Sequence, residues 1–162
     1  MPGANKRLRE IRLAIRDVIK KIKQVDGYVT EFPDANIYPL WNQEFFDDLT
    51  PAKFPKGFVY LEDQSFQPEV ASRTRREANF VVVLATIDGS AQAPPTSDDA
   101  QELVEDLIED FARAMELNSK LGGCVVQAYA SHVSTDGGIA FPEGVAVFNI
   151  RVMYDIQRPR VC

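Results

Sequence analysis

The strongest strand signal in the chain is the apolar run at residues 79–87, NFVVVLATI. Successive side chains of a strand point to opposite faces of a sheet, so a run that is apolar at odd and even positions predicts a central strand covered on both faces. A second strand is predicted at 57–61, and the polar stretch between the two is too long for a tight turn. We therefore expect neighbouring strands joined by a long hairpin arm at 64–77.

Two amphipathic helices flank this pair of strands. Residues 5–25 place apolar side chains at alternating steps of three and four, which is typical of a helix lying on a core. Residues 97–121 show a broader apolar face that ends at Gly122–Gly123, and glycines favour the left-handed conformation of a helix stop. Residues 26–56 are rich in proline and aromatic residues. We expect that segment to pack on the domain and to contain a short helix or turn.

The chain closes with two predicted strands within residues 124–157. The last of them alternates apolar and polar side chains over 148–157, as expected for a strand with one face in the core. Residues 158–162 form a tail. The order helix, two strands, helix, two strands predicts one α+β domain over 1–162, with a mainly antiparallel sheet of about four strands and two long amphipathic helices.

The two predicted helices carry opposite charge, within a chain of formal net charge −6. The first carries eight basic side chains against Glu10 and Asp17: Lys6, Arg7, Arg9, Arg12, Arg16, Lys20, Lys21 and Lys23. The second carries eight acidic ones against Arg113: Asp98, Asp99, Glu102, Glu105, Asp106, Glu109, Asp110 and Glu116. A domain with complementary charged faces can bind copies of itself head to tail, and such contacts close into rings or propagate as fibres. The alternative is that both are ordinary solvated helix faces.

Residues of both signs are therefore candidates for contacts between subunits. On the helices the candidates are Arg12, Arg16, Glu105 and Glu109. On the arm they are Arg73, Arg75 and Arg76, which could dock on carboxylates of a neighbouring subunit or on a phosphate backbone. The alternative for the arm is a solvated hairpin tip.

Motifs for catalysis or metal binding are not found in the sequence. The single histidine, His132, follows Ser131 directly, and neighbouring strand residues point to opposite faces, so the two cannot act as a nucleophile and its base. One histidine and two separated cysteines, Cys124 and Cys162, do not offer the spacing of a zinc site. The glycines form no phosphate-binding pattern. We expect a protein that is not an enzyme and that has no cofactor, no metal ion and no catalytic residues.

The sequence also indicates the cellular compartment in which the protein folds. Its longest apolar run is far shorter than the roughly 20 residues that cross a bilayer, so we expect no membrane partner. The basic N-terminus is not followed by the apolar block of a secretory signal, which favours folding in the cytoplasm. There we expect reduced thiols, with Cys124 as a small buried apolar residue within a strand.

The order of these elements resembles that of the tail terminator (tail completion) proteins of long-tailed bacteriophages. A basic amphipathic helix leads through a proline-rich segment into a strand, PKGFVYLED, and a polar arm returns into NFVVVLATI. A capped helix, DDAQELVEDLIEDFARAM, and two closing strands follow. The resemblance covers residues 5–157 and lies in the organisation of the elements. It places the family's extended hairpin at 64–77 and its second long connection at 134–144.

The resemblance implies a structural virion protein, assembled in the host cytoplasm, that forms a ring of six copies on the head-proximal end of the tail tube. Such a ring stops tube polymerisation and provides the joint to the neck. Its implied partners are further copies of itself, the tail tube protein, the neck or connector protein and, in a contractile tail, the sheath protein. Genomic DNA would pass through the lumen without specific binding.

Two other classes of function stay open at this point. One is another virion part, either a neck or head–tail connector protein or a tail tube subunit, which should polymerise without limit. The other is a small cytosolic enzyme or ligand-binding domain with a cleft between helices and sheet.

Overall fold

The computed structural model describes residues 7–39, 43–65, 75–88, 99–137 and 143–155. The helices are α1 (Arg7–Lys20), α2 (Gln43–Asp47) and α3 (Asp99–Leu117), and the strands are β1 (Lys56–Ser65), β2 (Arg75–Ile87), β3 (Gln127–Thr135) and β4 (Glu143–Asp155). Short 3-10 turns lie at Gln24–Asp26, Asp34–Asn36, Pro51–Lys53 and Leu121–Gly123. The α+β fold with an antiparallel sheet and two long helices is confirmed.

The four strands form one antiparallel sheet in the order β1-β2-β4-β3. The predicted central strand is β2, which pairs with β1 on one side and with β4 on the other. β1 and β2 pair as far as Ser65 and Glu77, beyond the predicted strand ends. Asn79 Nδ2 donates to Asp63 Oδ1 at 2.7 Å across this polar extension. Both ends of the predicted arm are therefore strand, and its remaining residues, 66–74, lie outside the described part of the chain.

One face of the sheet is covered by the two long helices. α1 packs mainly on β1, and α3 packs on β2, β3 and β4. The alternation predicted for the last strand is confirmed, because Phe148, Ile150, Val152 and Tyr154 are buried on this face. Phe111 of α3 meets Phe148 edge-on, with ring centroids 4.6 Å apart.

The other face is covered only in part among the described residues. Near the start of β1, Phe45 of α2 and Phe54 pack with Phe58, Val81 and Val83 in a second, smaller core. This confirms that the aromatic residues of 26–56 anchor that segment on the domain.

The helix ends differ from the sequence expectation. α1 ends at Lys20, because the chain turns into the 3-10 segment Gln24–Asp26 and then reverses at Gly27, whose φ is +84°. α3 ends at Leu117, and Asn118 Nδ2 donates to the carbonyl of Ala114 at 2.8 Å. The left-handed glycines are present, but they lie in a separate turn after the helix.

Cys124 departs from the prediction in two respects. It lies in the turn between Gly123 and β3, which begins at Gln127, rather than within a strand. Its side chain is fully buried, as predicted, but it is disulfide-bonded rather than a free thiol. The other cysteine of the chain, Cys162, lies outside the described residues. The expectation of a reduced thiol, which followed from the expected folding in the cytoplasm, was therefore wrong for Cys124.

Gly144 provides a test of how α3 sits on the sheet. A Cβ at this position would lie 2.2 Å from Val104 Cγ2 of α3. We expect Gly144→Ala to lower the free energy of unfolding by about 1–3 kcal/mol through overpacking. Val104→Ala removes that methyl group, so in this background Gly144→Ala should lower the free energy of unfolding by clearly less. Urea unfolding of the four proteins of this double-mutant cycle measures the difference, and equal costs in both backgrounds would refute the close approach.

Candidate assembly site

One flank of α1 faces α3, and basic residues on this flank form hydrogen bonds within the chain. Arg7 Nη2 donates to the carbonyl of Cys124 at 2.6 Å, and Lys21 Nζ, just beyond the helix, donates to Asn118 Oδ1 at 3.0 Å. Lys21 lies at the C-terminal end of α3, where the helix dipole favours positive charge, and Arg7 lies against the turn that follows this helix. They are therefore engaged within the domain.

The opposite flank of α1 forms what we call the basic edge, consisting of Arg9, Arg12 and Arg16. Their spacing of three and four residues places them side by side on the helix. Arg16 Nη2 donates to the carbonyl of Ile37 at 3.4 Å, and Ile37 forms a bridge with Gly57 of β1. The basic edge therefore lies along β1, an outer strand of the sheet. Arg9 is exposed and Arg12 half-buried, and neither forms an ion pair with a described residue.

Two contacts identify the side of α3 that faces the α1 end of the domain. Asp110 Oδ2 accepts a hydrogen bond from Thr30 N at 2.6 Å. Arg113 Nη1 donates to the carbonyl of Gly27 at 3.0 Å, and its guanidinium lies over the ring of Tyr28. The charged residues on this side of α3 are therefore engaged by the connection after α1.

The exposed face of α3 carries the acidic edge, consisting of Glu105, Glu109 and Glu116, all exposed. Arg113 lies one helical turn from Glu109 and from Glu116, and its guanidinium group is turned to Gly27 and Tyr28. A groove runs beside the acidic edge between α3 and β3. Its lining residues are Ala112, Met115, Glu116, Ser119, Gln127, Ala128, Tyr129 and Ala130. Gln101 donates to Glu105, and none of the three carboxylates forms an ion pair within the described ranges.

The two charged edges lie at opposite sides of the domain. α1 covers the outer strand β1, whereas α3 extends over β4 to the other outer strand, β3. Of the residues predicted from sequence, Arg12 and Arg16 lie on the first edge and Glu105 and Glu109 on the second. The structure thus separates the two predicted sets instead of pairing them within one chain.

Of the three arginines predicted to lie on the arm, two belong to the described residues. Arg75 and Arg76 both belong to β2 and therefore point to opposite faces of the sheet. Arg75 Nε lies 3.7 Å from Asp155 Oδ1 on the face away from the long helices, and Arg76 lies opposite Tyr154 in the register. Arg73 lies outside the described residues.

The face of the sheet away from the long helices carries paired charged side chains near the start of β2 and the end of β4. Arg151 Nη2 donates to Glu77 Oε2 at 2.7 Å, beside the Arg75–Asp155 pair. The hydrogen bond with Glu77, followed by the attraction of its charge, raises the pKa of Arg151. Because these charges satisfy one another, this part of the sheet is a weaker candidate for binding than the two edges.

Sequence reasoning missed a buried ion pair between Lys56 and Glu143. Both side chains are nearly inaccessible, at 0% and 6% exposure, and Lys56 Nζ lies 3.7 Å from Glu143 Oε1. The ammonium group also donates to the carbonyls of Phe45 and Asp48 and lies 4.1 Å from the centroid of the Phe54 ring. Lys56 therefore holds the segment around α2 against the sheet.

The pKa values of this pair shift in the directions that burial imposes. Burial lowers the pKa of Lys56 and raises that of Glu143, and the attraction between the two charges opposes both shifts. Both side chains are buried, and the ammonium group bonds backbone carbonyls of the segment around α2. We therefore interpret the ion pair as a structural anchor.

The raised pKa of Glu143 predicts a pH dependence of stability. A carboxyl whose pKa is higher in the folded state than in the unfolded state binds its proton more tightly when the protein is folded. Its contribution to stability therefore falls as the pH rises from the ordinary pKa of 4.5 through the folded pKa, and it is constant above the folded pKa. Wild type should therefore lose stability relative to Glu143→Gln as the pH rises from 4.5 towards neutrality. Urea unfolding of both proteins across this range measures the difference. A difference that stays flat or changes in the opposite direction would contradict the shift.

Two kinds of functional element, a metal-binding cluster and a membrane-spanning helix, are absent from the described ranges. No group of three or more His, Cys, Asp or Glu side chains there could hold a metal ion. His132 is exposed on the outer strand β3. None of the described helices is long and apolar enough to cross a membrane. Comparison with protein-family models and with curated proteins finds no match to this chain.

Proposed function

We propose that this protein is a structural subunit of a phage virion that assembles head to tail into a ring and caps the head-proximal end of the tail tube. The observation that supports this proposal is the placement of opposite charges at opposite edges of one sheet. A subunit of this design has a different surface at each side, so its contacts are heterologous and close into a ring when the rotation between copies permits.

The mechanism of such a cap is geometric. A closed ring uses both edges of every copy, so no charged edge remains to recruit further copies within the plane. Tube growth stops when the side of the ring that faces away from the tube lacks the surface that recruits the next tube ring. The tail tube protein and a neck protein are the partners that this proposal requires, with sheath protein added in a contractile tail.

Negative-stain electron microscopy of the purified protein tests this proposal. We expect closed rings of uniform diameter, with six copies as the number implied by the resemblance to tail terminators. Long tubes would instead favour a tube subunit, the second candidate, which shares the head-to-tail contact but repeats along an axis. A protein that stays monomeric at high concentration and low ionic strength would contradict self-assembly.

A neck or connector role and a small enzyme remain as further alternatives. Ring formation together with binding to the open end of a purified tail would separate a terminator from a connector that binds only the head. For the enzyme class the cheapest test is His132→Ala. An activity of the purified protein that this substitution removed would overturn the structural proposal.

A further inference from the structure

We infer that the groove between α3 and β3, with its acidic edge, receives the basic edge of α1 from a second copy of this chain. This inference rests on the proposed function and names the surfaces that make the ring contact. It commits to a second copy because the matching surface is present on the opposite side of the same domain.

The two surfaces match in apolar character as well as in charge. Leu13 is 36% exposed and lies one helical turn from both Arg9 and Arg16. This side of α1 therefore presents an apolar side chain among arginines. The groove beside α3 presents the half-buried Ala112 and Ala130 with the exposed Tyr129 and Glu116, above the buried Met115 and Ala128. An apolar floor can cover the aliphatic stems of arginine side chains while carboxylates bind their guanidinium groups.

Both surfaces have unused bonding capacity. Arg9 is exposed and Arg12 half-buried, and neither guanidinium group forms an ion pair with a described residue. Glu109 and Glu116 likewise have no ion-pair partner among described residues. Guanidinium and carboxylate groups form two-point hydrogen bonds that fix orientation as well as adding attraction.

Charge also selects the arrangement of the copies. A two-fold dimer through either edge would bring like charges together, because Arg9, Arg12 and Arg16 define one edge and Glu105, Glu109 and Glu116 define the other. A head-to-tail contact brings opposite charges together at every interface. The same pattern therefore disfavours dimers and favours a ring or chain of copies.

Two charge-reversed variants test this contact. Arg9→Glu/Arg12→Glu gives a chain with two acidic edges, and Glu105→Arg/Glu109→Arg gives one with two basic edges. We expect each variant alone to lose the assembled species in sedimentation velocity at low ionic strength. An equimolar mixture should regain it, because the two chains can alternate around a ring with an even number of copies.

The controls separate the contact from general charge and from misfolding. Asp26→Arg/Glu31→Arg reverses two exposed acidic residues that belong to neither edge and should assemble like wild type. Circular dichroism checks that each variant is folded, and Arg9→Glu alone, at an exposed site, replaces the double variant if that one is not.

Each outcome decides between the two proposals. Assembly of either reversed variant alone, a mixture that stays monomeric, or loss of assembly in the control would overturn this contact while leaving ring formation by wild type in place. A wild type that never assembles would overturn both the contact and the proposed function.

Discussion

Replacing Lys56 with methionine is expected to lower the free energy of unfolding by about 3–5 kcal/mol at neutral pH. The change removes one partner of a buried ion pair and leaves Glu143 in a site that excludes water. The carbonyls of Phe45 and Asp48 would also lose the ammonium group that donates to them. A buried group that has lost its partner keeps the full free-energy penalty of being removed from water. This penalty is larger than the net stabilisation that the pair itself contributes.

The double variant Lys56→Met/Glu143→Leu is expected to recover most of this loss. Apolar residues in place of a buried pair are often neutral or stabilising, since neither charge then has to leave water. Lys53→Met is the matched control, because Lys53 is exposed only three residues earlier and should change stability by no more than about 0.5 kcal/mol. Urea denaturation measures all four proteins. A loss for Lys56→Met no larger than for Lys53→Met would show that Lys56 does not anchor the segment.

Phe111→Ala is expected to lower the free energy of unfolding by about 3–5 kcal/mol. Phe111 is fully buried between α3 and the sheet and packs edge-on against Phe148. Removing the ring loses its burial and leaves a cavity that the two central strands, β2 and β4, are too well packed to close. The same loss should loosen the acidic edge, which α3 carries.

Leu117→Ala is the control for this change, because Leu117 lies on the same helix with 69% of its surface exposed. Its substitution should alter stability by no more than about 0.5 kcal/mol. Thermal unfolding followed by circular dichroism compares the two variants with wild type. Similar effects of both substitutions would contradict the packing of α3 on the sheet.

Local patterns in the sequence were sufficient for most of the fold. The apolar run that became β2 has side chains suited to both faces of a sheet, and β2 is indeed one of the two inner strands. The alternation from Phe148 to Tyr154 identified the buried face of β4 correctly. These predictions succeed because they depend only on residues that are close along the chain. Burial of one face or of both faces of a strand leaves a periodic pattern of apolar residues in the sequence.

Features that depend on distant parts of the chain could not be predicted in the same way. Lys56 looks like an ordinary solvent-exposed lysine at the start of a strand, and its buried site is assembled from α2, Phe54 and β4. Glu143 is eighty-seven residues away in sequence, so nothing local indicates that the two meet. The strands β1 and β2 extend further than predicted for a similar reason, since polar pairs such as Asp63 with Asn79 lengthen them without an apolar signal.

The candidate site was predicted in part. Opposite charge on the two helices is visible in the sequence, but the sequence does not show which flank of each helix faces outward. The bond from Arg16 to Ile37 places the basic edge beside β1, and the groove along β3 places the acidic edge at the other side. The sequence likewise did not show that Arg7 and Lys21 are used inside the chain.

Native mass spectrometry of the wild-type protein over a range of concentrations tests the central claim most directly. The claim is that the two charged edges join copies head to tail into a closed ring. The account predicts one dominant assembly whose copy number stays fixed as concentration rises. A series of masses that keeps growing with concentration, or a monomer throughout, would contradict it.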